Sequence, residues 1–472
     1  MSLNPNPVTS EPMESLFEAA ARIGAVLYGP NALFHRVVTD TRQLQPGDLF
    51  VALKGDRFDG HDYVARAASL GAVGCLVARR IDGGGAQIVI ADTDGGDTLV
   101  ALQRLAQSWR NDFDIPVIGI TGSNGKTTTK QLVASVMAAR GPVLATEGNL
   151  NNHIGVPLTL LKLRAEHATA VIEMGANHAG EIALLAKLAR PQIGIVTMAG
   201  DAHLEGFGSR DGVAHAKGEL FAALGAEGLA VINADDPYAP LWKQLAGEAS
   251  ILSFGFSEAA DVRGQDLVGI PEAAPEATAF TLVTPAGGAR VELGIPGVHN
   301  VMNALSAVAA GLALNMGIGP IAEGLAQMAP VAGRLNWKTT REGARLLDDS
   351  YNANPTSLRA ALDLLAGLPG QRWVVLGEMR ELGPDAAQIH EDAGRAARSL
   401  GIDRLYTLGA MTRHAADGFG ADARSFEQVD DLVAALRDDL SEGVTVLVKG
   451  SRGARMERVV AGLVGTAVED AH

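Results

Sequence analysis

A glycine-rich segment at residues 119–130, with the sequence GITGSNGKTTTK, joins an apolar run to a helical pattern. Its glycines let consecutive backbone N–H groups turn toward one anion, and the lysine adds a positive charge for the outer phosphates. The strict phosphate-loop pattern has a glycine where this chain has Ile120, so the loop is a variant, and a solvated turn is the alternative. We predict an ATP phosphate loop, with a threonine hydroxyl directed at magnesium, formed by Gly122, Ser123, Asn124, Gly125, Lys126, Thr127 and Thr128.

Three further side chains could take part in metal or phosphate chemistry. Magnesium prefers oxygen ligands and takes few protein carboxylates beside substrate phosphates, and Glu173 ends a strand that reads as buried. It could equally be a strand-end acid with protein partners. His203 lies in a loop where a histidine is ordinarily only polar, and Lys217 lies in a helical pattern where a lysine is ordinarily a solvated surface charge.

A polar string at residues 348–355, DDSYNANP, follows another strand pattern, and Arg334 precedes that strand. Such a turn could bind ribose hydroxyls or a peptide backbone. It could also be an asparagine-capped helix start with Pro355 in the first turn, and the two interpretations are compatible.

The elements that position these residues are short apolar runs alternating with helical patterns, which is typical of parallel sheets in an α/β protein. Because ligands of such sheets lie at the carboxyl ends of strands, the acids that follow the strands are expected there. A chain of 472 residues is longer than a domain with one hydrophobic core usually is, so we expect three domains. They comprise a smaller N-terminal α/β domain, a central ATPase-type parallel sheet and a C-terminal Rossmann-like domain, at residues 1–108, 109–331 and 332–472. The strands are predicted at residues 170–173, 193–198, 229–233, 345–347, 373–376, 404–408 and 444–448, the helices at 301–314 and 357–365, and a surface loop at 271–277.

The composition limits the possible functions. The 39 basic and 54 acidic residues give a net charge of −15, which argues against nonspecific binding to nucleic acid or anionic membranes. One cysteine, Cys75, excludes internal disulfides and is expected to be buried and inert. No apolar stretch is long enough for a membrane span and the first residues lack a signal pattern, so we expect a cytoplasmic protein. The glycine-rich fingerprint of nicotinamide cofactors is not found in the C-terminal part, so we expect no such cofactor.

Four motifs together resemble the ATP-dependent Mur ligases of bacterial cell-wall synthesis over nearly the whole chain. They are TGSNGKTT at 121–128, TEGNLNN at 146–152, EMGANH at 173–178 and DSYNANP at 349–355. The last is most similar to the branch that consumes D-alanyl-D-alanine. An N-terminal DTR motif followed by PGDLFVAL, within residues 40–53, separates the chain from folylpolyglutamate synthases.

The resemblance implies an enzyme that uses ATP to join D-alanyl-D-alanine to UDP-N-acetylmuramoyl-tripeptide. It also implies three domains, which hold the UDP end of the substrate, ATP and the amine substrate. It implies magnesium held by Thr127, Glu173, His203 and a carbamylated Lys217, with Lys126 on the phosphates. Adenine, phosphate and ribose would meet Asn300, Arg334 and Asp349. The implied substrate residues are Asp40, Arg42, Asn149, Asn152, Asn177, Tyr351, Asn352 and Asn354. A monomer is expected.

Two rival functions stay open. One is a sibling amide ligase that consumes a diamino acid or extends folate. The other is a binding protein in which ATP only drives domain closure.

Overall fold

The computed structural model describes residues 11–90, 96–268 and 277–465. The chain divides into two compact units. Unit 1 contains Met1–Val117, Pro142–Met174 and Leu184–Arg190, and unit 2 contains Ile118–Gly141, Gly175–Ala183 and Pro191–His472. The loop predicted at 271–277 lies almost wholly outside the described residues.

The N-terminal part of unit 1 holds a five-stranded sheet in the order β2-β7-β6-β5-β4. Strand β2 is antiparallel to its neighbour and the other pairs are parallel. The elements are β1 (Glu14–Ser15), α1 (Leu16–Ile23), β2 (Val26–Tyr28), β3 (Leu33–Phe34), β4 (Arg36–Val38), β5 (Asp48–Val51), α2 (Val64–Ser69), β6 (Gly74–Val77), β7 (Gln87–Val89) and α3 (Thr98–Arg110). Cys75 is buried, as predicted, and burial raises the pKa of its thiol to about 12.

The middle of the chain supplies the strands on which the phosphate loop stands. Its elements are β8 (Val117–Thr121), α4 (Lys126–Met137), β9 (Val143–Ala145), α5 (Gly155–Leu160), β10 (Thr169–Glu173), α6 (Glu181–Ala189), β11 (Ile193–Val196), α7 (Leu204–Phe207), α8 (Arg210–Ala222), β12 (Leu229–Asn233), α9 (Ala239–Leu245), β13 (Ser250–Gly255), β14 (Val262–Val268), β15 (Thr278–Thr284), β16 (Gly287–Leu293), α10 (Val298–Ala313) and α11 (Ile318–Ala326).

In unit 2 the strands of this region run in the order β16-β15-β14-β13-β12-β11-β8. The pairs from β8 to β14 are parallel, and β15 and β16 are antiparallel. In unit 1, β9 and β10 form a parallel pair. Strands β8, β10 and β11 are buried at every position, which is typical of parallel strands covered on both faces.

The last part of unit 2 forms a six-stranded sheet in the order β17-β18-β22-β19-β20-β21. Only β17 is antiparallel to its neighbour. The elements are β17 (Asn336–Thr339), β18 (Arg345–Asp349), α12 (Pro355–Ala366), β19 (Gln371–Gly377), α13 (Ala386–Ser399), β20 (Arg404–Leu408), α14 (Arg413–Phe419), β21 (Ala423–Phe426), α15 (Val429–Asp439), β22 (Val444–Lys449) and α16 (Glu457–Val464). Two apolar clusters bury its two faces, one including Leu358 and Leu362 of α12 and the other Leu432 and Leu436 of α15.

The predicted mixed α/β class, with parallel-rich sheets, is confirmed. The predicted strands and helices are found with ends shifted by a few residues at most, and the strand predicted at 404–408 matches β20. The domain boundaries at 108/109 and 331/332 stay predictions. No helix within the described ranges combines the length and apolar character needed to cross a membrane.

Candidate functional site

The phosphate loop begins where β8 ends, and its two glycines adopt backbone conformations that other residues rarely take. Gly122 has φ +141° and Gly125 has φ +80°. A Cβ on Gly122 would lie 1.9 Å from the Thr197 hydroxyl, and one on Gly125 would lie 2.4 Å from the side-chain oxygen of Asn303. Both conformation and space therefore require glycine at these positions.

Helix α4 follows this loop with Gly125 as its N-cap and no capping side chain. Its first N–H groups are those that a helix leaves without partners inside the helix, so they are suited to an anion. The Lys126 ammonium donates to the carbonyls of Gly122, at 2.8 Å, and Ser123, at 3.3 Å. Thr127 and Thr128 are partly exposed at the same end. The geometry of the predicted loop is therefore that of a phosphate cradle.

The loop is fixed from the strand beside it. The Ser123 hydroxyl donates to the Gly200 carbonyl at 3.1 Å and accepts the Gly200 N–H at 2.9 Å. The Thr197 hydroxyl donates to the Asn124 carbonyl at 2.6 Å. Since β8 and β11 are hydrogen-bonded neighbours, the residues after β11 hold the loop in shape before any ligand arrives.

A cavity of about 810 Å³ in unit 2 opens beside this loop. This volume lies within the range of small-molecule sites. Six of the residues predicted for ATP line it, although they come from distant parts of the chain: Asn124, Gly125, Thr128, Asn300, Arg334 and Asp349. The structure therefore brings the predicted loop, adenine, phosphate and ribose residues to one cavity, while their individual roles stay predictions.

A lysine in the wall of this cavity was not predicted from the sequence. Lys449, the last residue of β22, lies opposite Asp349 in the register of the parallel pair, and its ammonium donates to the Asp349 carboxylate at 2.5 Å. It also donates to the Asn352 carbonyl at 2.9 Å. Burial lowers the pKa of Lys449, and the nearby carboxylate opposes that change. The sequence signal that could have identified it is a lysine directly after the apolar run at 444–448.

His299 is a second cavity residue that was not predicted from the sequence. It lines the cavity at the start of α10, next to Asn300. Burial lowers the pKa of His299 to about 4, so the ring is neutral near pH 7. The Asn300 amide donates to the Pro296 carbonyl at 2.7 Å and its oxygen accepts from Asn303 at 3.1 Å, which fixes the side chain.

The polar string after β18 has both features that its sequence suggested. Asn354 caps α12 by accepting the Ser357 N–H at 2.8 Å, and Pro355 is in the first turn, which confirms the predicted capped start. The Asn354 side-chain amide also donates to the Asn124 side-chain oxygen at 2.8 Å. The Arg334 guanidinium lies over the Tyr351 ring at 4.4 Å, and Asn352 is exposed. The turn therefore contacts the phosphate loop directly.

Lys217 is buried, so the interpretation as a solvated surface charge is wrong. Its ammonium donates to the Ala176 carbonyl at 3.2 Å and lies 5.0 Å from the centre of the Phe207 ring. Burial lowers the pKa of Lys217 to about 7, and the charge of Lys126 adds to the effect. A substantial fraction of this amine is therefore neutral, and hence nucleophilic, near pH 7.

His203 lies against the same phenylalanine, with its ring centre 6.5 Å from that of Phe207. His203 and Lys217, two residues predicted to bind magnesium, therefore both lie against Phe207, which was not predicted from the sequence. The His203 ring also contacts the carboxylate of Glu381.

Glu173 lies in unit 1, buried at the end of β10. Its backbone N–H donates to the Thr146 hydroxyl at 2.9 Å, and one carboxylate oxygen accepts from Asn151 at 2.8 Å. The other oxygen, Oε2, is buried and has no hydrogen-bond partner among the described residues. A buried carboxylate oxygen without a donor is costly, and a cation would satisfy it.

The remaining predicted substrate residues are in loops. Asp40 and Arg42 of unit 1 pair with each other at 2.6 Å. Asn149 is exposed, and Asn152 accepts the Gly155 N–H at 2.8 Å at the start of α5. Asn177 of unit 2 is exposed. These positions leave their predicted roles untested.

Three family models match the chain. They describe the Mur ligase family catalytic domain at residues 33–82, the Mur ligase middle domain at 120–311 and the Mur ligase glutamate ligase domain at 333–452. Together they span the phosphate loop, the cavity residues and the polar string.

Whole-chain relatives agree with these matches. UDP-N-acetylmuramoyl-tripeptide–D-alanyl-D-alanine ligase of Escherichia coli (strain K12) is 42% identical over 440 residues, covering 93% of this chain and 95% of that protein. Among solved structures, MurF from Acinetobacter baumannii has a TM-score of 0.89 at 36% identity, covering 97% of this chain and 99% of that one. MurF ligase from Thermotoga maritima, in complex with ADP, has a TM-score of 0.80 at 28% identity, covering 90% and 96%.

Proposed function

Because the chain belongs to the Mur ligase family of ATP-dependent ligases, we propose that it joins D-alanyl-D-alanine to UDP-N-acetylmuramoyl-tripeptide. The products would be the UDP-linked pentapeptide, ADP and phosphate. The observation that carries the proposal is the single cavity where the phosphate loop meets Asn300, Arg334 and Asp349. Its support is the 42% identity to a ligase named for these two substrates.

The chemistry follows from the weak electrophilicity of a carboxylate. The terminal carboxylate of the tripeptide attacks the γ-phosphorus of ATP, which gives an acyl phosphate and ADP. The neutral amine of the dipeptide then adds to the acyl carbon. The tetrahedral intermediate loses phosphate and the amine loses a proton, which leaves the new amide.

The protein's contribution is positioning and charge. The N–H groups of the loop and of α4 face the phosphates, and Lys126 exchanges its two backbone carbonyl acceptors for phosphate oxygens. Arg334 and the Asp349–Lys449 pair reach the same cavity from the last part of unit 2. Closing this part over the nucleotide would exclude water, which otherwise hydrolyses an acyl phosphate.

We propose magnesium as the bound cation, with Thr127, Glu173, His203 and carbamylated Lys217 as its ligands. The orphan Oε2 of Glu173 and the partly neutral amine of Lys217 support this set. When bound, magnesium would neutralise charge on the transferring phosphoryl group.

We propose three domains, of which the N-terminal one binds the UDP end of the substrate near Asp40 and Arg42. The residues proposed to contact the peptide substrates are Asn149, Asn152, Asn177, Tyr351, Asn352 and Asn354. We also propose a cytoplasmic location and a monomer, and light scattering of the purified chain would test the oligomeric state.

The deciding experiment measures phosphate release from ATP and magnesium with UDP-N-acetylmuramoyl-tripeptide, with and without D-alanyl-D-alanine, and identifies the product by mass spectrometry. A product heavier by one dipeptide less water, formed only with all components, is expected. Phosphate release that depends on a single amino acid instead would assign the chain to a sibling ligase. Nucleotide binding without any covalent product would favour the binding protein.

A further inference from the structure

A contact between the side chains of His203 and Glu381 joins two distant parts of unit 2. His203 follows β11, and Glu381 lies in the loop after β19. The contact is between the ring Nδ1 and a carboxylate oxygen, which lie within ion-pair distance without meeting hydrogen-bond geometry.

Both residues have backbone conformations that are uncommon for side chains larger than glycine. His203 has φ +53° and Glu381 has φ +62°. Such left-handed residues cost free energy and persist where the surrounding structure holds them, often at functional sites. Two of them facing each other indicate that the pair has a defined geometry.

The loop that carries Glu381 is anchored on both sides. The buried ring of His390 accepts the Met379 N–H at 3.1 Å through Nε2, while its Nδ1 lies 2.7 Å from the Ala386 carbonyl. Leu382 is buried in the apolar cluster under α12. Glu381 itself is half exposed, so it is presented by a fixed loop and does not support the core.

We propose that Glu381 is a positioning residue for the metal site, which accepts the Nδ1–H of His203 and leaves Nε2 as the ring's free lone pair. A histidine that binds a metal through one nitrogen generally donates its other N–H to a carboxylate or carbonyl, which fixes tautomer and orientation. The inference rests on the proposed function for the identity of the metal site.

The arrangement links that site to the last part of the chain. His203 packs on Phe207, and the amine of Lys217 lies over the same ring, so rotating His203 would disturb the surroundings of both predicted ligands. Since Glu381 comes from the last part of unit 2, which also supplies Arg334 and Asp349 to the cavity, its contact with His203 links the predicted metal ligand to that part.

The test compares Glu381→Ala and Glu381→Gln with Asp385→Asn. Asp385 is an exposed acid four residues along the same loop, so its variant removes a charge without touching His203. Two properties are measured without the ligation reaction. One is the tautomer of His203 by ¹⁵N NMR at a pH where the ring is neutral, assigned with His203→Gln. The other is Mn²⁺ affinity with ADP, followed by the EPR signal of free Mn²⁺.

Wild type and Asp385→Asn should both hold His203 with the proton on Nδ1. Glu381→Ala should move the proton to Nε2 and weaken the Mn²⁺ site by about 10- to 100-fold, the usual effect of losing such a partner. Glu381→Gln keeps an acceptor oxygen without the charge, so it should retain the Nδ1–H tautomer and an intermediate affinity.

An unchanged tautomer in Glu381→Ala would overturn the inference, and so would a changed tautomer with wild-type Mn²⁺ affinity. Neither readout needs the peptide substrates. If both change as expected while no pentapeptide is made, the proposed substrates are wrong and the positioning role stands.

Discussion

The side-chain amide of Asn354 donates a 2.8 Å hydrogen bond to the side-chain oxygen of Asn124. Asn124 belongs to the phosphate loop, and Asn354 begins α12, whose N-terminus it caps with its own oxygen. One side chain therefore fixes a helix start and contacts the loop that we expect to hold ATP. The bond gives the last part of the chain a direct hold on the geometry of the nucleotide site.

The two functions of Asn354 can be separated by substitution. Asn354→Asp keeps an oxygen for the cap but loses the amide donor to Asn124, so it should lower ATP affinity with little loss of stability. Asn354→Ala removes both and should also cost about 1 kcal/mol in the free energy of unfolding. Urea unfolding and ATP titration calorimetry check the two effects. Equal ATP affinity in wild type and Asn354→Asp would show that the bond does not support the nucleotide site.

Lys126→Ala should lower turnover by at least about 10²-fold, because a charge that acts on the transferring phosphoryl group is lost. The chain should stay folded, since the side chain is only partly buried. Steady-state ATP turnover and circular dichroism measure this. Lys243→Ala, on the exposed side of α9, is the matched control. Near-wild-type turnover in Lys126→Ala would remove the phosphate-loop assignment.

Gly125→Ala should abolish nucleotide binding and destabilise the fold. The left-handed conformation alone costs a side chain about 1–2 kcal/mol, and the new Cβ would also collide with Asn303. Gly319→Ala is the contrasting variant because it lies in α11 with open space around it, and it should be neutral or stabilising by up to about 1 kcal/mol. Thermal unfolding with and without ADP compares them. Normal ADP stabilisation of Gly125→Ala would contradict the geometry.

Lys217 should make stability depend on pH in a defined window. The pKa of Lys217 is about 7 when folded and 10.5 for an ordinary lysine, so between these values the unfolded chain binds more protons. The free energy of unfolding therefore rises with pH there, by at most about 1.4 kcal/mol per pH unit. Lys217→Met should remove this slope in urea unfolding at pH 7.5 and 9 in CO₂-free buffer. Identical slopes in both proteins would refute the shift.

The same lysine gives a test of the proposed carbamate. Lys217→Ala should lose ligation activity, and short carboxylic acids should restore part of it by supplying the missing anion. Assays with and without acetate, with Lys243→Ala treated identically, measure the rescue. A Lys217→Ala variant with normal activity would exclude the carbamate.

Lys449→Met should destabilise the protein by about 3–5 kcal/mol, because it leaves the Asp349 carboxylate buried without its partner. The double variant Asp349→Asn, Lys449→Met should recover much of that loss, since no unpaired charge remains. Urea unfolding of the singles and the double forms a double-mutant cycle. Additive losses would show that the two groups do not depend on each other.

Local patterns predicted much of this protein. The phosphate loop was readable because a glycine-lysine turn between a strand and a helix is a local feature, and the cap at Asn354 was readable because capping acts within one turn. Apolar runs located the buried strands for the same reason. Each of these depends on residues only a few positions apart.

Tertiary structure decided the features that join distant residues. Nothing near Lys217 in the sequence shows that its amine is buried under Phe207, and only the pairing of β18 with β22 sets Lys449 against Asp349. The contacts of Asn354 with Asn124 and of Glu381 with His203 likewise depend on packing between segments. The sequence by itself determined which local backbone could bind phosphate, while the folded chain decided which charges lose their water and face one another, because desolvation and long-range contacts exist only after packing.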